Sequence, residues 1–311
     1  MNILVTCPPM IQRISEYNAL FQSHNIHYHC PTFTQTMSEE ELIQLVPKYD
    51  GWIIGDDPAT ENVFAAGVDG RLKAAVKWGV GVDNVDFNAC KALGIPITNV
   101  PNVFGEEVSD VAIGMMLNLS RKLHLIDAET KKGNWYKPCG SSLSGKKACL
   151  IGFGNIGQSI ARKLLAFQVS VYAFDPYYVV KTRGQPSNIT LGDFNTCVQN
   201  ADYIFIACAL TESSKHLIRR DTVKFAKRGV RIINVARGPI VKEDDIVELL
   251  EEGFVQAVGF DVFEEEPLPM HSKLRDFPQN IYGSHNGSNT VEAVDRTSNI
   301  AIERMVGFLE K

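Results

Sequence analysis

In this chain of 311 residues, the side chains best suited to acid–base and anion chemistry are Arg237, Glu266 and His285. Each follows an apolar run that is typical of a buried strand. In an open parallel sheet, ligands bind beyond the carboxyl ends of the strands, so we expect the three side chains to converge at one edge. Together they suit hydride transfer between a C–OH group and a C=O group that stands next to a carboxylate.

The charge of each group indicates its part in such a reaction. The planar guanidinium of Arg237 can clamp a carboxylate and polarise a carbonyl oxygen. His285 can exchange a proton with the hydroxyl near neutral pH, and the Glu266 carboxylate can stabilise its imidazolium. Taken singly, each residue also has an ordinary structural interpretation, as a surface ion pair, a solvated turn or a structural histidine. Their joint placement on successive strand ends favours the functional interpretation.

The strongest local motif is a glycine-rich loop, in which Gly152, Gly154 and Gly157 form a G-x-G-x-x-G pattern between an apolar strand and a helical stretch. The first glycine permits a tight turn, the second lets the backbone approach a pyrophosphate, and the third lets the helix pack closely on the strand. The amino terminus of that helix then offers free N–H groups to the phosphates. Since the next strand ends in Asp175, the pattern predicts a dinucleotide site whose ribose is bound by that carboxylate.

Asp175 also predicts which dinucleotide is bound. Its negative charge would repel a 2′-phosphate, and the following Pro176-Tyr177-Tyr178 brings no cation nearby. We therefore predict NAD rather than NADP. The residues predicted at this point to contact the cofactor are Gly152, Gly154, Asn155, Ile156, Gly157, Asp175 and Pro176.

The elements that must position these groups alternate along the chain as short apolar runs and helical stretches. The runs predicted to be strands are Asn2–Cys7, Trp52–Gly55, Leu72–Trp78, Lys147–Gly152, Val169–Asp175, Tyr203–Cys208, Arg231–Ala236, Val255–Asp261 and Asn280–Gly283. Ser38–Tyr49 opens with a Ser-x-x-Glu capping box and is predicted to be a helix. Buried strands that alternate with helices predict an α/β fold with doubly wound parallel sheets.

The length of the chain suggests about two domains. Because the final helical stretch, Thr290–Leu309, can return to the first domain, we predict an outer domain of 1–100 plus 287–311 and an inserted domain of 101–286. A long helical pattern also runs from Glu106 toward Trp135 and carries more large apolar residues than one face needs. It is either a fully buried helix or a contact with a second subunit.

Composition narrows the class of protein. Lys plus Arg is 31 and Asp plus Glu is 36, so the net charge of −5 makes nucleic acid a poor partner. Seven cysteines without a C-x-x-C pair are typical of reduced thiols in a cytosol rather than of disulfides or a zinc site. We therefore expect a cytoplasmic protein without a metal. The N-terminus lacks the basic region of a signal peptide, and no apolar run is as long as a membrane span.

In these motifs, the sequence resembles the D-isomer-specific 2-hydroxyacid dehydrogenase family over nearly its full length. The segments that match the family's signature in order and type are Asn234-Val-Ala236-Arg237-Gly238, Asp261-Val-Phe-x-x-Glu266-Pro267 and His285. The resemblance implies two Rossmann-like domains with the active site in the cleft between them. It also implies a homodimer formed through the cofactor domain. The helical stretch from Glu106 to Trp135 suits that contact between subunits. Since the sequence ends at Lys311, the regulatory domain of longer phosphoglycerate dehydrogenases is not expected.

The resemblance also assigns roles to single residues. It implies that Arg237 binds substrate, that Glu266 assists, and that His285 is the acid/base. Asp261 would contact the nicotinamide amide. The further cofactor contacts that it implies are Cys208 and Ala236.

Gly79-Val80-Gly81 resembles the family's substrate loop, whose backbone N–H groups hold the substrate carboxylate. Lys77 stands just before this loop. It is either a ligand for a second anionic group, such as a phosphate, or a solvated lysine beside a core tryptophan. The substrates that we expect first are 3-phosphoglycerate and hydroxypyruvate or glyoxylate.

Two other functions stay open at this point. Corepressors that resemble this family use the fold to sense NAD(H) and bind partner proteins, and they can keep Arg237, Glu266 and His285. Formate and phosphite dehydrogenases leave no ketone product to protonate, so they use these residues differently. The sequence shows no partner-binding motif, which favours the enzyme.

Overall fold

The computed structural model describes residues 1–33, 35–178 and 188–310. By its internal contacts, the chain divides into two compact units, one of Met1–Phe104 with Asn289–Lys311 and one of Gly105–Ser288. The divisions predicted from the sequence, after residues 100 and 286, lie within a few residues of these bounds. Lys311, which ends the predicted outer domain, lies outside the described residues. Which unit binds substrate and which binds cofactor stays a prediction.

The first unit contains a parallel sheet whose described strands have the order β2-β1-β3-β4-β5. Its strands are Asn2–Val5 (β1), His27–His29 (β2), Gly51–Ile54 (β3), Ala74–Lys77 (β4) and Ile97–Asn99 (β5). The inner strands β3 and β4 are buried at every residue, which is typical of strands covered on both faces. β2 and β5 are not among the predicted strands. Each has only three residues, some of them polar, so neither contains an apolar run.

The second unit contains a parallel sheet whose described strands have the order β12-β11-β10-β9-β6-β7-β8. Its strands are Lys147–Ile151 (β6), Ser170–Phe174 (β7), Ile189–Leu191 (β8), Tyr203–Ile206 (β9), Val230–Asn234 (β10), Val255–Phe260 (β11) and Ile281–Tyr282 (β12). The strand order reverses beside β6, and this switch point is where open α/β sheets bind ligands. Each predicted strand overlaps an observed one, so the predicted fold class is confirmed.

The helices connect these strands. The described α-helices are Pro8–Gln12 (α1), Asn18–Ser23 (α2), Glu39–Leu45 (α3), Glu61–Asp69 (α4), Phe87–Leu93 (α5), Gly105–Arg121 (α6), Leu123–Lys131 (α7), Asn155–Ala166 (α8), Phe194–Val198 (α9), Arg220–Val223 (α10), Glu243–Glu251 (α11) and Val291–Leu309 (α12). The predicted capping box is present at α3, where the Ser38 hydroxyl accepts from the Glu41 N–H and the Glu41 carboxylate accepts from the Ser38 N–H at 2.8 Å. No helix in the described ranges is long and apolar enough to span a membrane.

The long helical pattern after Glu106 is two helices rather than one. Lys122 has a φ of 56°, in the left-handed region, and separates α6 from α7. α6 buries a row of apolar side chains that includes Val108, Met116 and Leu119, whereas α7 has no buried residue. The interpretation as one fully buried helix is therefore wrong for α7, whose apolar residues do not pack into the core of the unit.

Candidate active site

The glycine loop leaves β6 and packs against the segment that follows β9. Gly152 has a φ of 93°, and a Cβ there would lie 2.6 Å from the Cys208 nitrogen, so this position requires glycine. A Cβ on Gly157 would overlap the Gly152 carbonyl oxygen, and its absence lets α8 begin close to the strand. A Cβ on Gly154, by contrast, would have no described atom within 4 Å. The backbone of Gly154 therefore faces open space.

The amino terminus of α8 has the features of an anion site. Gly154 is its N-cap residue and no side chain caps the helix, so the first N–H groups of these 12 residues keep their capacity to bind an anion. Asn155 is exposed and Ile156 is half-buried in the first turn. Open backbone at Gly154 together with an uncapped helix end fits a pyrophosphate.

Asp175 stands directly after β7 and is bonded to the glycine loop. Its Oδ2 accepts a hydrogen bond from the Phe153 N–H at 2.8 Å, and its Oδ1 accepts one from the Tyr177 N–H at 2.8 Å. Pro176 is exposed beside it. The carboxylate therefore lies next to the loop, where a ribose hydroxyl would need an acceptor.

Two further predicted cofactor contacts follow neighbouring strands, Cys208 after β9 and Ala236 after β10. Burial raises the pKa of the Cys208 thiol to about 11, so this thiol is neutral at physiological pH. Ala236 is buried, and its N–H donates to the Asn234 side-chain oxygen at 3.1 Å. Both positions thus present small uncharged groups.

His285 and Glu266 form a hydrogen-bonded pair. His285 Nδ1 lies 2.8 Å from Glu266 Oε2, and the two side chains are 25% and 26% exposed. The other carboxylate oxygen, Oε1, accepts from the Phe263 N–H at 2.9 Å, so both oxygens of Glu266 are held. Because Nδ1 faces this carboxylate, Nε2 is the ring nitrogen that can face a substrate.

Asp261 holds the segment that carries His285. Its carbonyl oxygen accepts from the His285 N–H at 2.7 Å. Its buried carboxylate accepts from the Gly287 N–H at 2.8 Å and from the Asn286 N–H at 3.2 Å. These bonds fix the backbone under the imidazole. The contact of Asp261 with nicotinamide stays a prediction.

Arg237 begins the turn after β10. Its Nη1 donates to the Ala236 carbonyl at 2.8 Å, and its own carbonyl accepts from the Asn234 amide at 2.9 Å. The next residue, Gly238, lies so close to Phe263 that a Cβ there would overlap the Phe263 carbonyl. The turn of Arg237 and the segment that leads to Glu266 are therefore in direct contact.

Sequence reasoning missed a second histidine–carboxylate pair beside these segments. His216 Nε2 lies 2.7 Å from Glu264 Oε1, and the His216 N–H donates to the Pro239 carbonyl at 2.8 Å. Glu264 and Glu243 bond reciprocally, each carboxylate accepting from the other's N–H. Burial raises the pKa of Glu243, and the charges of Glu264 and Glu266 raise it further. The described residues contain no group of three or more His, Cys, Asp or Glu that could hold a metal ion.

The predicted substrate-loop residues follow β4 in the first unit. The Lys77 side chain is 3% exposed, and its Nζ donates to the Gly55 carbonyl and to Asp56 Oδ1. The interpretation of Lys77 as a solvated lysine is therefore wrong, because these two acceptors at the end of β3 hold the ammonium inside the unit. Val80 is exposed and Gly81 is half-buried, so the loop lies at the surface of the unit.

A glycine loop at the switch point of a parallel sheet, an acid at the next strand end and a histidine–glutamate pair define the class, an NAD-dependent oxidoreductase. Residues 113–287 match the sequence profile described as D-isomer specific 2-hydroxyacid dehydrogenase, NAD binding domain. The chain belongs to the D-isomer specific 2-hydroxyacid dehydrogenase family. The resemblance read from the sequence and the prediction of NAD are thereby confirmed.

Similar proteins carry different substrate names. A hydroxypyruvate reductase of Thermotoga maritima is 32% identical over 280 residues, which are 88% of this chain and 89% of that protein. A D-3-phosphoglycerate dehydrogenase of Bacillus subtilis is 35% identical over 273 residues, and the match covers 83% of this chain but 51% of that protein. The apo-structure of D-lactate dehydrogenase from Escherichia coli matches with a TM-score of 0.85 and 25% identity, over 100% of this chain and 97% of that one. Similarity thus establishes the enzyme class and leaves the substrate to be argued from the site.

Proposed function

We propose that the protein transfers a hydride between NAD(H) and a D-2-hydroxyacid or the corresponding 2-ketoacid, and that Arg237, Glu266 and His285 act on that substrate. The observation that carries the proposal is the contact of 2.8 Å between His285 Nδ1 and Glu266 Oε2. The pair lies in the same unit as the glycine loop, and its glutamate is on a segment that touches the turn of Arg237. NADH supplies the hydride when it is bound.

The three side chains divide the remaining work. In the reduction, the His285 imidazolium donates its Nε2 proton to the carbonyl oxygen as the alcohol forms, and in the oxidation Nε2 takes that proton back. The Glu266 carboxylate accepts from Nδ1–H, which stabilises the imidazolium and fixes the ring. The Arg237 guanidinium binds the substrate carboxylate through its planar fork and polarises the carbonyl.

The cofactor and substrate contacts are proposed on the same basis. We assign the pyrophosphate to the glycine loop and the amino terminus of α8, and the adenosine ribose to Asp175. The other residues proposed along the cofactor are Asn155, Ile156, Pro176, Cys208, Ala236 and Asp261. Gly79–Gly81 is proposed to hold the substrate carboxylate by its backbone. The location of the site in an interdomain cleft stays a prediction.

We also propose that the enzyme works as a homodimer in the cytoplasm. Leu123 on α7 is 49% exposed and Trp135, shortly after that helix, is 81% exposed. Large apolar side chains left at the surface of a unit support a contact with another chain. All seven cysteines are free thiols, which supports a reducing compartment.

The test is NADH oxidation by the purified protein with hydroxypyruvate, glyoxylate, pyruvate and 3-phosphohydroxypyruvate, and NAD reduction with formate and phosphite. We expect turnover of at least one 2-ketoacid. We also expect kcat/KM for NADH to exceed that for NADPH by about tenfold or more, since roughly 1.4 kcal/mol of charge repulsion corresponds to a tenfold ratio. Tight NADH binding without turnover of any 2-ketoacid would contradict the proposal and favour an NAD(H) sensor. A preference for NADPH would contradict the role of Asp175.

A further inference from the structure

Lys77 is a cation at the carboxyl end of β4, directly before the proposed substrate loop, and its charge is already paired within the first unit. Its side chain is 3% exposed, and Nζ lies 2.9 Å from Asp56 Oδ1. The Asp56 side chain is 43% exposed, so the carboxylate is the member of the pair that meets solvent. A ligand that approaches this edge of the sheet therefore meets the negative partner first.

Hydrogen bonds connect this ion pair to Asn84, which follows the substrate loop. The Gly55 carbonyl that accepts from Lys77 Nζ also accepts from the Asn84 amide at 3.1 Å. Asn84 ends the turn that follows the loop. Lys77 and Asn84 thus share one acceptor, the Gly55 carbonyl, and the ion pair lies close to the loop that is proposed to bind a substrate carboxylate.

The charged side chains that line the surface beside the ion pair are negative. A depression in the surface of the unit opens next to the ion pair, and its lining includes Asp56, Asp83 and Asp86. No basic residue is among the described residues that line it. A second negative group on the substrate would meet carboxylates there, and like charges in close juxtaposition disfavour binding.

We infer that Asp56 is a specificity-determining residue, which neutralises Lys77 and thereby selects small 2-ketoacids and 2-hydroxyacids whose C3 substituent carries no charge. The inference rests on the proposed function, since it takes Gly79–Gly81 as the loop that holds the substrate carboxylate. Because Asp56 pairs with Lys77, this pair offers no net positive charge to a phosphate at the far end of the substrate. A hydrogen, methyl or hydroxymethyl group needs none, so selection arises from a repulsive element rather than from an added contact.

Asp56→Asn tests the inference, because asparagine keeps the shape and can still accept from Lys77 Nζ while the negative charge is lost. The quantity measured is the ratio of kcat/KM for hydroxypyruvate to kcat/KM for 3-phosphohydroxypyruvate, at constant ionic strength with NADH. We expect the unmodified enzyme to favour hydroxypyruvate, and Asp56→Asn to shift the ratio toward the phosphorylated substrate by about tenfold or more. Asp69→Asn removes the same charge at the exposed end of α4, and its ratio should stay within about twofold because salt screens distant charges.

A double variant separates Lys77 from the general change in charge. In Asp56→Asn/Lys77→Met the shift should be smaller than in Asp56→Asn, because the uncovered cation is removed while the carboxylate is absent from both variants. Thermal unfolding and NADH affinity show whether each variant is folded. If a variant does not fold, the ratio of the two kcat/KM values in the unmodified enzyme still tests the inference. Three results would overturn it: preference of the unmodified enzyme for the phosphorylated substrate, a shift in Asp56→Asn no larger than in Asp69→Asn, or a shift as large in the double variant as in Asp56→Asn. Absence of turnover with these two substrates and also with glyoxylate and pyruvate would contradict the proposed function instead.

Discussion

At the scale of single residues, the orientation of His285 is determined from two directions. Glu266 holds Nδ1 of the ring at 2.8 Å, and Asp261 accepts from the backbone N–H of the same residue at 2.7 Å. His285 also adopts a φ of 55°, in the left-handed region that is unusual for a side chain with a Cβ. Such backbone conformations persist where the surroundings over-determine them, and they are frequent at active sites.

Replacing His285 with Ala should lower kcat by about 10²–10⁴-fold, the usual contribution of a positioned acid–base group. The dissociation constant of NADH should change little, because the glycine loop and Asp175 are on other segments. Steady-state kinetics and NADH fluorescence titration measure the two quantities. His271→Ala, at an exposed histidine of the same unit, is the matched control and should keep full activity. Equal turnover in His285→Ala would refute the acid–base assignment.

At the scale of elements, the glycine loop contains glycines that serve different purposes. Gly157 is required by packing within the fold, because a Cβ there would overlap the Gly152 carbonyl oxygen. Gly154 has open space around it, so the fold itself does not require glycine there. The proposed ligand does require it, since a pyrophosphate must approach the backbone.

We therefore expect opposite results from two alanine variants. Gly154→Ala should keep the melting temperature of the ligand-free protein and weaken NADH binding by about tenfold or more, corresponding to roughly 1.4 kcal/mol. Gly157→Ala should lower the melting temperature, since overpacking a filled position costs about 1–3 kcal/mol. Differential scanning calorimetry with and without NADH checks both. If Gly154→Ala binds NADH as the unmodified protein does, the cofactor does not approach this backbone.

The contact between α6 and α8 is a second feature at the scale of elements. Glu106 accepts from the Ser159 hydroxyl at 2.8 Å and from Arg162, and Lys163 lies 3.4 Å from its other oxygen. These partners, Ser159 first, lower the pKa of the Glu106 carboxyl to about 2. The side chain is 61% exposed, so solvent weakens each of these interactions.

Glu106→Gln should lower the melting temperature at pH 7 by about 1–3 °C, which is what an exposed ion-pair network contributes in a protein of this size. A carboxyl whose pKa is lower in the folded state stabilises that state above its unfolded pKa, and this stabilisation is lost as the pH falls. The difference between the two proteins should hold from pH 7 to pH 5 and shrink between pH 4.5 and about 2. Thermal unfolding at several pH values measures it. Glu251→Gln, at an exposed glutamate of the same unit, is the matched control.

At the scale of the whole molecule, the surface of the second unit carries apolar residues that its own core does not use. α7 has no buried residue, and a depression after it is lined by Ile126, Trp135, Tyr136 and Pro138. Trp135 and Tyr136 are 81% and 44% exposed. The proposed homodimer would cover this surface.

Leu123→Glu should convert the proposed dimer to a monomer, because a charge at an apolar contact is left without a partner when the contact forms. Analytical ultracentrifugation over a range of protein concentrations measures the change. Phe225→Glu is the matched control, since Phe225 and Leu123 are both 49% exposed on the same unit. A monomeric unmodified protein, or a dimer that is unaffected by Leu123→Glu, would contradict the proposed contact.

Features that depend on neighbours in the chain were predictable from the amino-acid sequence alone. The glycine loop, the acid after the next strand, the capping box at Ser38 and the alternation of strands and helices are all set within short segments. Their physical basis is local, because turn geometry, helix capping and burial of a strand are fixed by the order of residue types. These patterns were sufficient to predict the fold class, the cofactor and the family.

Which distant residues come into contact depends on the packing of the whole chain. His216 and Glu264 are 48 positions apart, and Lys77 and Asp56 are 21 apart, yet each pair is in hydrogen-bond contact. Lys122 divides α6 from α7 by its left-handed backbone conformation. Because it is neither glycine nor proline, the sequence does not indicate a break at this position. The strand order of each sheet determines which strand ends are adjacent, and no spacing within one segment encodes that order. For this reason the pairing that removes Lys77 from solvent, and with it the proposed selectivity for uncharged substrates, became visible only once β3 and β4 were placed side by side.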